Sequence, residues 1–172
     1  HNHIAALAEV AQVIMLPGNH DIRAATAAAT LIPELCHLKP ANSDAPLLAL
    51  ERLLDLESVS AYVVPGGYPH AELYMFDGLA RFNHGTKVKK RGGQTAAAVL
   101  EEARVSTFFG HIHRAELAAR THHGPRGLKT VYAGSPGTLS RQNGAVPGSH
   151  RPDWQQAVMP IYYRKGRLYP SL

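Results

Sequence analysis

The stretch Val13-Ile14-Met15-Leu16-Pro17-Gly18-Asn19-His20-Asp21 constrains this chain more than any other. A short apolar, β-prone run stops at Pro17-Gly18, and three polar side chains follow in a row. A buried strand that ends so abruptly delivers those side chains to the carboxyl end of a sheet, where open α/β folds place their ligands. Ile22 to Leu31 is Ala-rich and reads as a helix, with Asp21 placed to cap its start. The expected unit is strand, tight turn and helix, with Asn19 and His20 held at the turn.

Two further strand ends have the same character. Glu72–Phe76 and Leu79–Phe82 flank Asp77-Gly78, a two-residue hairpin signal, and the second run leads into Asn83-His84-Gly85. Thr95 to Arg104 reads as a helix, and Val105–Phe109 as a strand ending in Gly110-His111-Ile112-His113-Arg114. Around these lie weaker signals. Ile4–Ala11 and Pro46–Leu54 have helical composition, and Ala61–Val64 is a short β run. Ala115–Thr121 and Leu128–Ala133 form a β pair joined by a turn that carries His122 and His123. Gly134 to Asp153 is a long Gly/Pro/Ser/Arg loop, of a length that is usually functional or mobile. Trp154–Tyr163 and Arg167–Tyr169 close the chain as a hairpin, with Trp154 expected to pack at the core or rim.

With 172 residues, 45% of them hydrophobic, the chain has enough apolar surface for one domain over 1–172. No apolar run approaches the roughly 20 residues that cross a bilayer, so no membrane partner is expected. Cys36 is the only cysteine, which excludes an internal disulfide and a thiolate zinc site and fits a reducing compartment. A net charge of +5 favours anionic partners without naming one. The eleven histidines, several of them in close pairs, point instead to metal. Read as an extended segment, His111 and His113 point the same way with Cα atoms about 7 Å apart. That spacing suits two ions about 3.5–4 Å apart, each taking one ring. Imidazole and amide oxygen without thiolate favour Mn, Fe or Zn.

Gly18-Asn19-His20-Asp21, His84-Gly85 and Gly110-His111-Ile112-His113 together resemble, in order and spacing, the last three motifs of the calcineurin-like metallophosphoesterases. Gly92–Arg114 and Gly134-Ser135-Pro136-Gly137-Thr138-Leu139 look most like the phage and bacterial members. The resemblance implies an α/β fold, a two-sheet sandwich flanked by helices, with two divalent metal ions. It implies Asn19, His84 and His111 as ligands of the second metal and His113 as a ligand of the first. His20 would be the catalytic side chain that stabilises the transition state or protonates the leaving group. Arg114, with the basic Lys87–Arg91 run, would help hold an anionic substrate.

The family's earlier motifs, D-x-H and G-D-x-x-D, do not occur before Gly18. They would supply the bridging carboxylate, most ligands of the first metal and the aspartate that orients His20. The start at His1 accordingly reads as an amino-terminal truncation, with the first strand and its motifs missing. The expected activity is metal-dependent hydrolysis of phosphomono- or phosphodiesters, weak in this chain alone, in the cytoplasm of a bacterial or phage-infected cell. The substrate would be a phosphorylated small molecule or nucleic acid. The alternatives are a scaffold protein of the same fold that has lost catalysis, and a nucleic-acid phosphodiesterase or nuclease.

Overall fold

The structure is a computed structural model that describes residues 2–42, 44–125, 127–140 and 153–172. The chain is mixed α/β and divides into two compact units, residues 1–71 and 72–172. Among the described residues no helix is long and apolar enough to cross a membrane.

In the first unit, helix α1 (Asn2–Ala8) precedes strand β1 (Ile14–Met15), and helix α2 (Arg23–Leu31) follows the Pro17–Asp21 turn. A 3-10 turn at Pro33–His37, the short helix α3 (Leu50–Leu53) and a second 3-10 turn at Glu57–Val59 lead to strand β2 (Tyr62–Val63). β1 and β2 pair in parallel, Ile14 with Tyr62 and Met15 with Val63. Helix α3 is shorter than the Pro46–Leu54 expectation. Pro46 to Ala49 closes as a separate turn, and Ala49 is extended, so the helical ladder starts only at Leu50. A last turn, α4 (Gly67–His70), ends the unit. Among the described residues its buried apolar side chains are Pro17, Leu56, Val64 and Ala71, while α2 buries none.

The second unit is built on a five-stranded sheet in the order β3-β4-β5-β7-β6. The Asp77-Gly78 hairpin forms as expected, joining β3 (Glu72–Met75) to β4 (Ala80–Asn83). Phe76, Asp77 and Gly78 all take positive φ there. Helix α5 (Gln94–Glu102) crosses to β5 (Ser106–Phe109), which pairs in parallel with β4. β6 (Ala115–Gly124) and β7 (Gly127–Pro136) form a long antiparallel arm, with β7 parallel to β5. The arm exceeds the expected pair: register continues to Gly124 opposite Gly127. His122 and His123 therefore sit on a strand, opposite Lys129 and Leu128, and not in a turn, although both are exposed.

Hairpin β8 (Ile161–Arg164) and β9 (Arg167–Pro170) closes the fold. β8 is shorter than the Trp154–Tyr163 run because residues 155 to 157 direct their backbone elsewhere, as described below. Of the expected 134–153 loop, Gly134 to Pro136 belong to β7, and residues 141–152 lie outside the described ones.

The sheet of this unit is covered on both faces. Ala96, Leu100 and Ala103 of the α5 segment pack with Phe109, Ile112, Val131 and Ala133. On the other face Ala80 and Phe108 pack with Leu168 of β9, beside Phe82, Tyr132, Met159 and Ile161. All four residues of β5 are buried, as the uninterrupted Ser-Thr-Phe-Phe run of a central parallel strand requires. Burying Phe108 and Phe109 contributes roughly 1.5–3 kcal/mol each. The strand that carries the Gly-His-x-His turn is thus the most firmly held in the unit.

Candidate functional site

In the first unit the Gly18–Asp21 turn is closed by its own polar groups. The Gly18 N–H donates to Asp21 Oδ2 at 2.7 Å, and the Asp21 N–H donates to the Gly18 carbonyl at 3.2 Å. The carboxylate is thereby drawn back over the turn. Asp21 does not cap α2, whose N-cap is Ile22 with no side-chain bond. Pro17 and Gly18 are buried, Asn19 is half-buried and His20 is exposed. The turn presents these two side chains at the end of β1, as the sequence leads one to expect.

In the second unit β4 and β5 run side by side in parallel, so their carboxyl ends emerge together. Asn83 pairs with Phe109, and the Gly110 N–H donates to the His84 carbonyl at 3.0 Å. His84 and His111 become neighbours, with ring centroids 5.3 Å apart and planes inclined at 68°. Of the two glycines beside them, Gly85 is a spatial requirement. Gly85 has φ +84°, and a Cβ there would stand 3.3 Å from Cβ of Phe109. A Cβ on Gly110 would come 3.6 Å from Nδ1 of His84, so the imidazole lies directly over this glycine.

The Gly-His-x-His segment is not extended, contrary to the geometry assumed from its spacing. His111 has φ +70° and His113 φ +57°, and the Ile112 N–H donates to the Gly110 carbonyl at 2.8 Å. Left-handed backbone costs an L-residue roughly 1–2 kcal/mol. Two such residues around one buried isoleucine, Ile112, form a strained turn anchored by its apolar middle. Strain of this kind concentrates at functional sites.

His113 is held differently from His111. Its ring meets the Trp154 ring edge-on at 4.4 Å, and its carbonyl accepts the Gln155 N–H at 3.1 Å. Gln155 also accepts the Ala115 N–H through its side chain, and its carbonyl accepts the Thr138 N–H at 2.9 Å. The Ala157 N–H in turn donates to the Thr138 carbonyl. Residues 154 to 157 thus strap the histidine turn to the segment after β7. Gly137 makes the crossing possible: its φ is +90°, and a Cβ would fall 2.3 Å from the Gln155 carbonyl oxygen. Trp154 had signalled packing in the sequence. Gln155 had no signal, because its role depends on partners 17 and 40 residues away.

Arg114, expected as a substrate contact, is buried and turned inward. Its Nη1 and Nη2 donate to the carbonyls of Lys90 and Lys89, and Nη2 also reaches Thr95 Oγ1 at 3.3 Å. Nε lies 3.4 Å from Oε1 of Glu116, an ion pair with both side chains nearly sealed from water. The other oxygen of Glu116 accepts the Ala96 N–H at 2.8 Å, in the first turn of α5. Gly93, the N-cap of that helix, offers no side chain, so a carboxylate from β6 serves it instead. The guanidinium fixes the basic loop by the Lys89 and Lys90 carbonyls; those two residues are exposed, while Lys87 Nζ pairs with Glu102 Oε1.

The donors can be tested against a metal ion. With a metal–nitrogen bond of about 2.0–2.1 Å and a further ~1.2 Å to each ring centre, two imidazoles on one tetrahedral ion place their centroids about 5.3 Å apart. The His84–His111 separation of 5.3 Å fits that arrangement. Among the described residues no three His, Cys, Asp or Glu side chains converge as a ligand set. The fit is therefore to two ligand positions of one ion. Against family models, curated proteins and solved structures the chain finds no match.

Proposed function

We propose that this chain is a metal-dependent phosphoesterase domain with the two-sheet metallophosphatase-like architecture. The observation that supports it most is the pair His84 and His111, set at adjacent parallel strand ends with rings at the separation of two ligands on one ion. The strained Gly-His-x-His turn and the sequence match of three ordered motifs add to it. In this reading His84 and His111 hold one divalent ion, Mn, Fe or Zn, and His113 contributes to a second. The bound metal would supply a water of lowered pKa and Lewis-acid stabilisation of a phosphoryl group.

The chain's own residues do the rest. His20, exposed on its turn, donates a proton to the departing alkoxide or stabilises charge on the phosphoryl oxygens. The Trp154–Gln155 strap holds His113 in its left-handed conformation, and the buried Ile112 keeps the two histidines of the turn in register. Arg114 acts at one remove, by fixing the basic loop, and does not itself meet substrate.

A second reading, a scaffold protein without catalysis, is favoured by one observation: among the described residues no three His, Cys, Asp or Glu side chains converge as a ligand set. Titration with Mn²⁺ and hydrolysis of a bis-aryl phosphodiester decide between them. The expected result is weak Mn²⁺ binding and slow hydrolysis, both lost in His84→Ala and His111→Ala, with hydrolysis alone lost in His20→Ala. Metal binding without turnover selects the scaffold. Binding that survives both ligand substitutions sinks the metal reading altogether. Aryl monoesters and single-stranded DNA, run beside the diester, sort the substrate class.

A further inference from the structure

A cavity of about 390 Å³ opens in the second unit at the end of the sheet opposite the histidines. Leu79 and Ser106, where β4 and β5 begin, lie at its base, whereas His84 and His111 follow the far ends of those strands. Ser106 to Phe109 alone separates the two places by about 10 Å, at roughly 3.3 Å per residue. The base is apolar, with Leu79 and Leu168, and Tyr132 lines it as well. Its rim carries Lys129 from the β6–β7 arm and Lys165 and Arg167 from the β8–β9 hairpin. None of the described lining residues is acidic, and among the described residues none of these three cations is in an ion pair with a carboxylate.

Three cations from two separate hairpins line one opening. Positive charge so placed favours a multiply charged anion, and one carboxylate would leave an excess of positive charge. The apolar base calls for an uncharged, flat or greasy body on the same molecule. The volume falls within the range of small-ligand sites, roughly 300–1,000 Å³, and is too small for a macromolecular groove. We propose that this cavity binds a phosphate-bearing small molecule of nucleoside monophosphate size, its phosphate between Lys129, Lys165 and Arg167 and its ring over Leu79 and Leu168. The site is separate from the histidine turns and does not depend on their function.

The test is calorimetric titration of the whole chain with AMP, adenosine and inorganic phosphate, in EDTA so that no divalent ion bridges nucleotide to histidine. AMP is expected to saturate a single site, with adenosine and phosphate each at least about tenfold weaker, since each satisfies only half of the cavity. Lys165 and Arg167 flank an exposed turn, so the double variant Lys165→Glu/Arg167→Glu should fold and weaken AMP by at least about tenfold. His111→Ala should leave AMP binding unchanged. On the wild-type chain, raising salt from about 0.05 to 0.5 M should weaken AMP and spare adenosine. AMP binding no tighter than that of adenosine and phosphate overturns the proposal. So does affinity that survives the double charge reversal, or affinity that is insensitive to salt. Loss in His111→Ala with retention in the double variant would move nucleotide binding to the histidine site.

Discussion

At the scale of single residues, the unusual feature is a side chain kept where glycine would be more comfortable. His111 has φ +70° and His113 φ +57°, while Gly110, directly before them, has an ordinary φ. A turn selected for stability alone would reverse that distribution. At an ordinary helical or strand position, replacing Gly by Ala is favourable by roughly 0.5–1 kcal/mol. At residue 111 the order should invert. His111→Gly is expected to be more stable than His111→Ala by about 1 kcal/mol in denaturant unfolding, because only glycine escapes the left-handed penalty. Both variants should lose metal equally. An alanine variant as stable as the glycine one would mean that the turn relaxes, and that its strain carries no functional information. Position 111 was legible in the sequence as a candidate ligand, but its backbone was not. The Gly-His-x-His spacing suggested an extended pair pointing the same way, and the buried Ile112 instead sits in a turn.

Between elements, the joint formed by α5, β6 and the basic loop carries the second unit's buried charge. Glu116 caps α5 from β6, Arg114 neutralises it, and the same guanidinium holds the carbonyls of Lys89 and Lys90. Neither residue could be read this way beforehand. Arg114 follows a histidine motif and carries a charge attractive to phosphate, so the sequence favours a substrate contact. What overrides that is a glycine N-cap 21 residues earlier and a carboxylate two residues later, 3.4 Å from the guanidinium. Removing one member of a buried pair strands the other charge, at a cost of about 3–5 kcal/mol. Arg114→Met and Glu116→Leu should each destabilise by that order in urea unfolding. The double variant should recover much of the loss, since two apolar side chains leave no orphaned charge. Additive losses would mean that the pair is not coupled, and that each residue acts only through its backbone partners. Such elements were easiest to foresee where a local rule decides them. The Asp77-Gly78 hairpin and the buried β5 run needed no distant partner. The strap at residues 154 to 157 was read as strand because its hydrogen bonds go to the His113 and Thr138 carbonyls, which no local pattern announces.

Over the whole molecule, the two units differ in how their strands are secured. β5 is paired on both sides, by β4 and β7, and lies between two apolar layers. β1 and β2 share a two-residue ladder, extended only by the Tyr62 and Val64 N–H bonds to Val13 and Met15. The described apolar side chains buried in that unit are Pro17, Leu56, Val64 and Ala71. Opening free energy follows buried apolar contact and ladder length, so the two turns that bear the candidate residues rest on scaffolds of unequal stiffness. In native-state hydrogen exchange, the amides of Phe108, Phe109, Val131 and Ala133 should be the slowest. Those of Tyr62 and Val64 should exchange faster by at least about a hundredfold, a gap of roughly 2.7 kcal/mol in opening free energy. The Gly18 and Asp21 amides, bonded only within their own turn, should exchange faster still. Addition of Mn²⁺ then tests where the second unit holds its ion. If His84 and His111 are ligands, saturating metal should slow exchange at Gly110, whose N–H donates to the His84 carbonyl. Exchange at Gly110 that is unchanged by metal would remove the two histidines from the ligand set.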